Sequence, residues 1–532
     1  MSLPAQGASY DEYPYPSLSY SLTHPDRFAT VATLFGLEPA NVERCRYLDI
    51  GCAVGGNLFP LAYSLPESEF TGIDYAGRQI EIGRQHLAQL GLPNVRLEQM
   101  DIMNVPEDFG QFDYIVAHGI YSWVPEPIRD RLLEVIRQHL SPNGIAYISY
   151  NCYPGWHMLD MVREMMLYRI RDIGDPAEGA VKAKELIDVM VNSDFDGNKL
   201  YGAFLESYKE SLTKKLAENV AGGGSLMLHD ELSEVNDPVY FSEFVKHAGA
   251  HGLQYLSEVD IYQVSPVRYP KETIAAVGQM ANDYIDFEQY LDFLHNRTFR
   301  KTLLCHQEAT VSRRLRPEIV SDLIISSYAE TVSKTPDLKG PTIEQFKGKD
   351  GATFSTDHPL SKAAITHLLN KAPALVTFDE LVAATARDLG IKGEEYLARE
   401  SRILAATILR AYSYSESLLQ VHVYRPTFVT EVSERPLASP VARWQAMRFG
   451  KVTSMRHERV ELDPVSRQIF MQLDGQNDRH AILEYLLKLF EEGTLVLTDE
   501  ENDKGSKSLP ELVGTDIDQN LKFYAWASLL IG

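Results

Sequence analysis

The stretch LDIGCAVGGN, residues 48–57, decides the fold. It overlaps RYLDIG, a short apolar run ending in glycine that reads as a buried strand, and it leads into GGNLFPLAYSLP, a helix stopped by proline. Asp49 stands near the end of the strand. Gly51, Gly55 and Gly56 allow a tight turn and the close approach of a ligand to the backbone. The helix that follows offers unpaired N–H groups at its start. Many tight strand-to-helix turns need glycine, so the reading depends on what comes next.

Downstream the pattern alternates. EFTGID is a second strand and AGRQIEIGRQHLAQLG a helix closed by Gly91. NVRLEQMD and FDYIVAHG are the third and fourth strands. PEPIRDRLLEVIRQHLSPNG is a helix followed by a turn, and IAYISYN is the fifth strand. After an irregular helical stretch, FSEFVKHAGAHG with LQYLSEVDIYQV reads as helix and sixth strand, and EQYLDFLHNRTFRKTLLCHQ supplies a helix and a seventh. Strands alternating with helices of this length imply an α/β fold with a parallel, Rossmann-like sheet covered on both faces.

The polar residues of these strands fall at one edge. Asp74 ends the second strand, Asp101 the third, His118 and Gly119 the fourth, and Asn151 the fifth. Open α/β sheets bind ligands beyond the carboxyl ends of their strands. A carboxylate at the Asp74 position can accept hydrogen bonds from both ribose hydroxyls, and one at Asp101 can reach an adenine amine. One acid after a strand is commonly a helix cap; acids at successive strand ends behind a glycine-rich turn point to a nucleoside. A dinucleotide fold expects G-x-G-x-x-G, and the run G-C-A-V-G-G fails that spacing at Ala53.

Composition narrows the partners. The 532 residues carry 74 acidic against 51 basic side chains, a formal charge of −23, which argues against a nucleic-acid partner and favours cationic ones. The four cysteines form no C-x-x-C pair, as expected in a reducing cytoplasm. The N-terminus lacks the pattern of a signal peptide, and no stretch of about 18 apolar residues is present to span a membrane.

The expected organisation is an N-terminal lid segment over 1–40, a core over 41–310 with a helical insertion near 155–225, a middle helical or winged-helix-like domain over 311–434, and a C-terminal winged-helix-like domain over 435–532. AGGGS at 221–225 reads as a joint, RPLASP at 435–440 as a linker, and TDEENDKGSKS as a charged loop.

The register of Asp49, the glycine turn, Asp74 and Asp101 resembles the class I methyltransferases, with Ala53 replacing one glycine of their motif. THPDRFATVATLFGLEP, DYIVAHGIYSWVP, SYNCYPGWHMLDMVREMM and HDELSEVNDPVYF are similar to bacterial methyltransferases with a methyltransferase regulatory domain, of the kind found in rickettsial outer-membrane-protein lysine methyltransferases. The resemblance implies S-adenosylmethionine as cofactor, S-adenosylhomocysteine as product, and a seven-stranded core. It implies a cofactor set of Tyr20, Asp49, Gly51, Cys52, Gly55, Gly56, Asn57, Asp74, Tyr75, Gln79, Asp101, Ile102, His118 and Gly119.

Methyl transfer is an in-line displacement that needs an aligned nucleophile in a dry site, and aromatic walls hold a cationic amine there. Tyr121, Trp123, Tyr150, Tyr153 and Trp156 are placed around the expected methyl position, with Tyr13, Tyr15 and Tyr20 as lid residues. His118 reads as a proton acceptor or as a histidine tied to its loop. Asn151 is similar to the strand-end asparagine of amino-methylating enzymes, although the N-P-P-Y run is replaced by N-C-Y-P-G-W. The catalytic candidates are therefore His118, Tyr121, Trp123, Asn151, Tyr153 and Trp156. No metal set is expected: His247 and His251 share a helix face but lack H-E-x-x-H and read as exposed, and His229 and Asp230 read as loop or cap residues. Three functions fit: a protein lysine N-methyltransferase, a small-molecule N- or O-methyltransferase, and a non-catalytic cofactor-binding regulator. The methyl acceptor and the oligomeric state stay open.

Overall fold

The computed structural model describes residues 12–193, 199–217, 223–496 and 508–532. Residues 1–11 of the expected lid segment, part of the AGGGS joint and nearly all of the charged loop at 498–508 lie outside the described residues. Seven strands form the central sheet: β1 (Arg46–Ile50), β2 (Glu69–Asp74), β3 (Val95–Gln99), β4 (Phe112–Ala117), β5 (Leu140–Asn151), β6 (Leu253–Glu258) and β7 (Phe299–His306). Their order is β3-β2-β1-β4-β5-β7-β6. The first five are parallel, and β7 runs antiparallel to both β5 and β6.

Side chains alternate across each strand, so the two faces feed separate cores. Tyr47, Tyr114, Val116 and Tyr147 enter one, while Leu48, Ile115, Ala117 and Ile148 enter the other. The turn expected at 141–144 is instead the start of β5. The pairing of β5 with β4 shifts register there, and Pro142 and Asn143 reach water without ending the strand.

Residues 12–40 divide into two parts. The helix Pro25–Leu34, with proline at its start and the His24 side chain accepting from Asp26 N–H, buries nearly all its length in the first core. Asp26 also accepts from the N–H groups of Val423 and Tyr424, each at 2.9 Å. The extended stretch before it runs along the carboxyl edge of the sheet.

The first core continues into Leu360, Leu404, Ile408 and Val421, so residues of the middle region complete it. That region holds a small antiparallel sheet, Val376–Thr377, Ile324–Ser326 and Gln420–His422, with the helices Pro359–Lys371, Phe378–Leu389 and Glu394–Tyr414. A capping box of Thr377 and Glu380 starts the second of these, and left-handed Gly390 ends it. The helices Trp156–Ile170, Pro176–Asn192 and Lys199–Ala217 have a core of their own around Val162, Ile187 and Leu205. The C-terminal helices share a further core around Ile469, Leu486 and Ile517, flanked by the hairpin Lys451–Thr453 and Arg459–Glu461.

Candidate active site

A cavity of about 480 Å³ opens at the carboxyl ends of β1, β2 and β4. Its floor is the turn after β1. Gly51 at φ 76° and Ala53 at φ 50° take left-handed backbone, and Gly51 N–H donates to Ile73 O at 2.8 Å. The left-handed backbone at Gly51 favours glycine, and a Cβ there would stand 2.7 Å from Ile120 Cδ1, so the Ile120 side chain would have to shift. The Asp74 carboxylate accepts from Ala53 N–H and Ala76 N–H, both at 2.8 Å, which fixes its orientation beside the turn. Asp101 accepts from Met103 N–H at 2.9 Å and holds Ile102 at the far end.

The N-terminal stretch forms the opposite wall, with Tyr15, Ser17 and Tyr20 lining the cavity. Gly56 N–H donates to Ser17 Oγ at 2.9 Å. Asn57 Oδ1 accepts from Tyr20 N–H at 3.1 Å, from Thr23 Oγ1 at 3.0 Å and from His457 Nε2 at 2.9 Å. His457 sits at the tip of the C-terminal hairpin, and Arg459 lies 5.6 Å over the Tyr20 ring. On the other side His229 Nε2 donates to Tyr13 O, and the Tyr15 hydroxyl donates to Asp230 at 3.4 Å.

His118 Nδ1 lies 3.0 Å from the Tyr147 hydroxyl and 3.1 Å from Ser149 Oγ, with Tyr20 packed 4.3 Å from its ring. Burial, with smaller contributions from Lys301 and Arg459, lowers its pKa to about 4. The imidazole is therefore neutral at physiological pH. With the proton on Nδ1, Nε2 carries the lone pair available to a ligand.

The structure gathers Tyr20, Asp49, Gly51, Cys52, Asn57, Asp74, Tyr75, Gln79, Asp101, Ile102, His118, Gly119 and Trp123 around this one cavity. Gly55 and Gly56 stand behind the wall, against Phe59 and Ser17 respectively. Four of the expected catalytic residues do not line it. The buried Tyr121 turns its hydroxyl to His247 Nδ1 at 2.7 Å. Asn151, buried at the end of β5, donates to Asn236 Oδ1 at 2.9 Å. Tyr153 stacks on His157 at 3.9 Å, and Trp156 meets Trp123 edge-on at 6.5 Å. The lining adds His229 and Asp230, which the sequence reading treats as loop or cap residues. The chain brings them in from more than 100 residues beyond the fourth strand, and no local pattern marks them.

Asp49 is 5% exposed, and burial raises its pKa to about 7, with Asn57 opposing and the charge of Asp74 adding to the rise. The unfolded chain ionises this group near 4. Its proton is kept only in the folded chain across that window, so stability falls as pH rises from about 4 to about 7. Over that range the wild type is expected to lose about 4 kcal/mol more than Asp49→Asn. Urea unfolding of both proteins at each pH measures it, and parallel pH profiles would contradict the assignment.

Comparison with known proteins agrees with this geometry. Residues 41–201 match a methyltransferase domain, residues 224–306 the "Predicted methyltransferase regulatory domain", and residues 434–529 the "PKMT, C-terminal winged helix domain". Protein RP789 of Rickettsia prowazekii is 32% identical over 498 residues, covering 92% of this chain and 88% of the relative. Protein RP028 of the same organism is 40% identical over 240 residues, 45% of this chain and 93% of the relative. The solved structure of PKMT2 from Rickettsia typhi superposes with a TM-score of 0.84 at 27% identity, covering 98% of this chain and 100% of that one. The same protein in complex with AdoHcy gives 0.82. Fold, cavity and matches define an S-adenosylmethionine-dependent methyltransferase. The chain belongs to the family of class I methyltransferases that carry a methyltransferase regulatory domain and the PKMT C-terminal winged helix domain.

Proposed function

We propose that the chain methylates the side-chain amine of a lysine in a protein. The observation that carries this reading is the neutral, buried His118, which shares the cofactor cavity with Tyr20 and Trp123. The residues present suit the cofactor: Gly51, without a side chain, admits a chain close to the backbone, and about 480 Å³ lies within the usual range for small-molecule sites. Asp74 would hold the ribose hydroxyls, Asp101 and Ile102 the adenine, and the turn from Gly51 to Ala53, with Asp49, the amino-acid end. When bound, S-adenosylmethionine supplies an electrophilic methyl group on a sulfonium.

The chain's residues then act on the acceptor. Tyr20 and Trp123 flank an amine and exclude water, which strengthens cation–π attraction and strips hydration from the nucleophile. With a pKa of about 4, His118 is too weak a base to hold the proton that the ammonium must lose; that proton leaves to solvent before the nitrogen attacks, and the neutral His118 ring accepts a hydrogen bond from the amine and orients its lone pair. Trp156 stands against Trp123, and the Tyr153 hydroxyl donates to Asp160, so aromatic rings and one carboxylate suited to a lysine lie near that side, while Asp237 is already paired with Arg129. The likeness over the whole chain to PKMT2 supports a protein acceptor, and so does the charge of −23. In this reading residues 41–310 are the catalytic core with its insertion, and the regions 311–434 and 435–532 select the protein. The bacterial sources of the relatives support a bacterial enzyme, and the four free cysteines suit a reducing cytoplasm.

The test is transfer of tritium from labelled S-adenosylmethionine to lysine-rich proteins, to the same proteins with their lysines acetylated, and to free amines. Label in the unmodified proteins, recovered as methyllysine, is expected. Turnover of free amines alone would move the assignment to a small-molecule acceptor.

A further inference from the structure

We infer that Asp130, His247 and His251 form a site for a divalent transition-metal ion of the zinc class, clipping the helix Glu126–His139 to the helix Phe241–Ala250. Asp130 Oδ1 lies 2.7 Å from His247 Nε2 and 3.4 Å from His251 Nε2, and the candidate ligand atoms all fall within 4.8 Å of one another. Tetrahedral ligands at zinc distances of ~2.0–2.1 Å stand roughly 3.3 Å apart, so His251 is already spaced for an ion and His247 needs to open by about half an ångström. The sequence pattern HAGAH offers two histidines one helical turn apart; the fold adds the third ligand, Asp130, from a helix 117 residues upstream of His247.

A second feature sets these histidines apart from a surface pair. His247 Nδ1 is 2.7 Å from the hydroxyl of Tyr121, which is 2% exposed. Metal-binding histidines characteristically anchor the other ring nitrogen on an oxygen, which fixes the tautomer and aims the lone pair at the ion. With Nδ1–H donated to Tyr121, Nε2 faces Asp130 with its lone pair. Both rings are mostly covered, at 23% and 17% side-chain exposure, rather than open to solvent as the sequence suggests. Asp130 at 47% leaves a side of the site open for water to complete a fourth position.

The two helices belong to one core, through Leu132, Ile136, Phe244 and Ala248. An ion therefore joins elements already packed together. It also braces the short turn Tyr121–Trp123, whose Trp123 lines the cofactor cavity. The competing arrangement is a purely hydrogen-bonded triad, with both Nε2–H groups donating to Asp130 and the Tyr121 hydroxyl donating to Nδ1.

The experiment uses the full chain, stripped with chelator and titrated with zinc chloride by calorimetry, then with cobalt chloride by visible absorption. One zinc ion per chain is expected, with micromolar or tighter affinity, together with the intense visible bands of four-coordinate cobalt and a zinc-dependent rise in melting temperature. Asp130→Asn, which keeps the shape of the triad, and His251→Ala should each weaken zinc at least about 10-fold and abolish the thermal shift. His480→Ala, an exposed histidine elsewhere, should change neither. No saturable zinc binding, or equal binding by Asp130→Asn and His251→Ala, would overturn the site and leave the hydrogen-bonded triad.

Discussion

Asp74→Ala is expected to weaken both S-adenosylmethionine and S-adenosylhomocysteine by about 30- to 1000-fold, the equivalent of roughly 2–4 kcal/mol. The carboxylate has two tasks. In the structure it orders the turn after β1 by accepting from Ala53 N–H and Ala76 N–H. In the proposed complex it also receives the ribose hydroxyls. Both ligands share that ribose, so their affinities should fall together, and the ratio between them should stay near its wild-type value. Titration calorimetry on the folded variant gives both numbers. Unchanged affinity would remove Asp74 from the nucleoside site, whereas loss of one ligand only would place it near the sulfur.

The second large effect is expected from Gly56→Ala, although Gly56 lies outside the cavity lining. A Cβ there would stand 2.6 Å from the carbonyl oxygen and 2.7 Å from the Oγ of Ser17. The obstacle is partly backbone, so the N-terminal stretch must move away and the bond from Gly56 N–H to Ser17 is lost. Ser17 and Tyr20 are then misplaced as cavity wall. A displacement of about 1 Å at a catalytic wall costs on the order of 100-fold in rate. The expected result is a fall of that size in kcat/KM, faster amide exchange over residues 12–20, and unchanged exchange in β1 and β4. Wild-type kinetics would show that the N-terminal stretch does not shape the site.

The sheet was legible because parallel strands leave short apolar runs with polar residues at one end only. The sequence alone sets Asp74, Asp101 and His118 at that edge. The mixed edge was less legible, since a strand reads the same in either direction, and the antiparallel run of β7 follows from topology rather than composition. Side-chain direction was harder still. Tyr121 and Trp123 are two residues apart on one 3-10 turn, yet Trp123 lines the cavity and Tyr121 points to His247. Asn151 stands at a strand end as expected, but its amide is engaged by Asn236. Contacts made across long separations left no local mark. His457 reaches Asn57 across 400 residues, and Asp230 reaches Tyr15 across 215. The middle region also reads as a separate module in sequence, although Leu404 and Ile408 complete the core begun by Phe28.

The account rests on the cavity at the ends of β1, β2 and β4 being the place where S-adenosylmethionine presents its methyl group. A crystal structure of the chain with S-adenosylhomocysteine tests this most directly. The prediction is a ribose whose hydroxyls lie within about 3 Å of the Asp74 carboxylate, adenine beside Ile102, and the sulfur in the space bounded by Tyr20, His118 and Trp123. A nucleoside bound away from Asp74, or a sulfur directed away from His118 and Trp123, would contradict it.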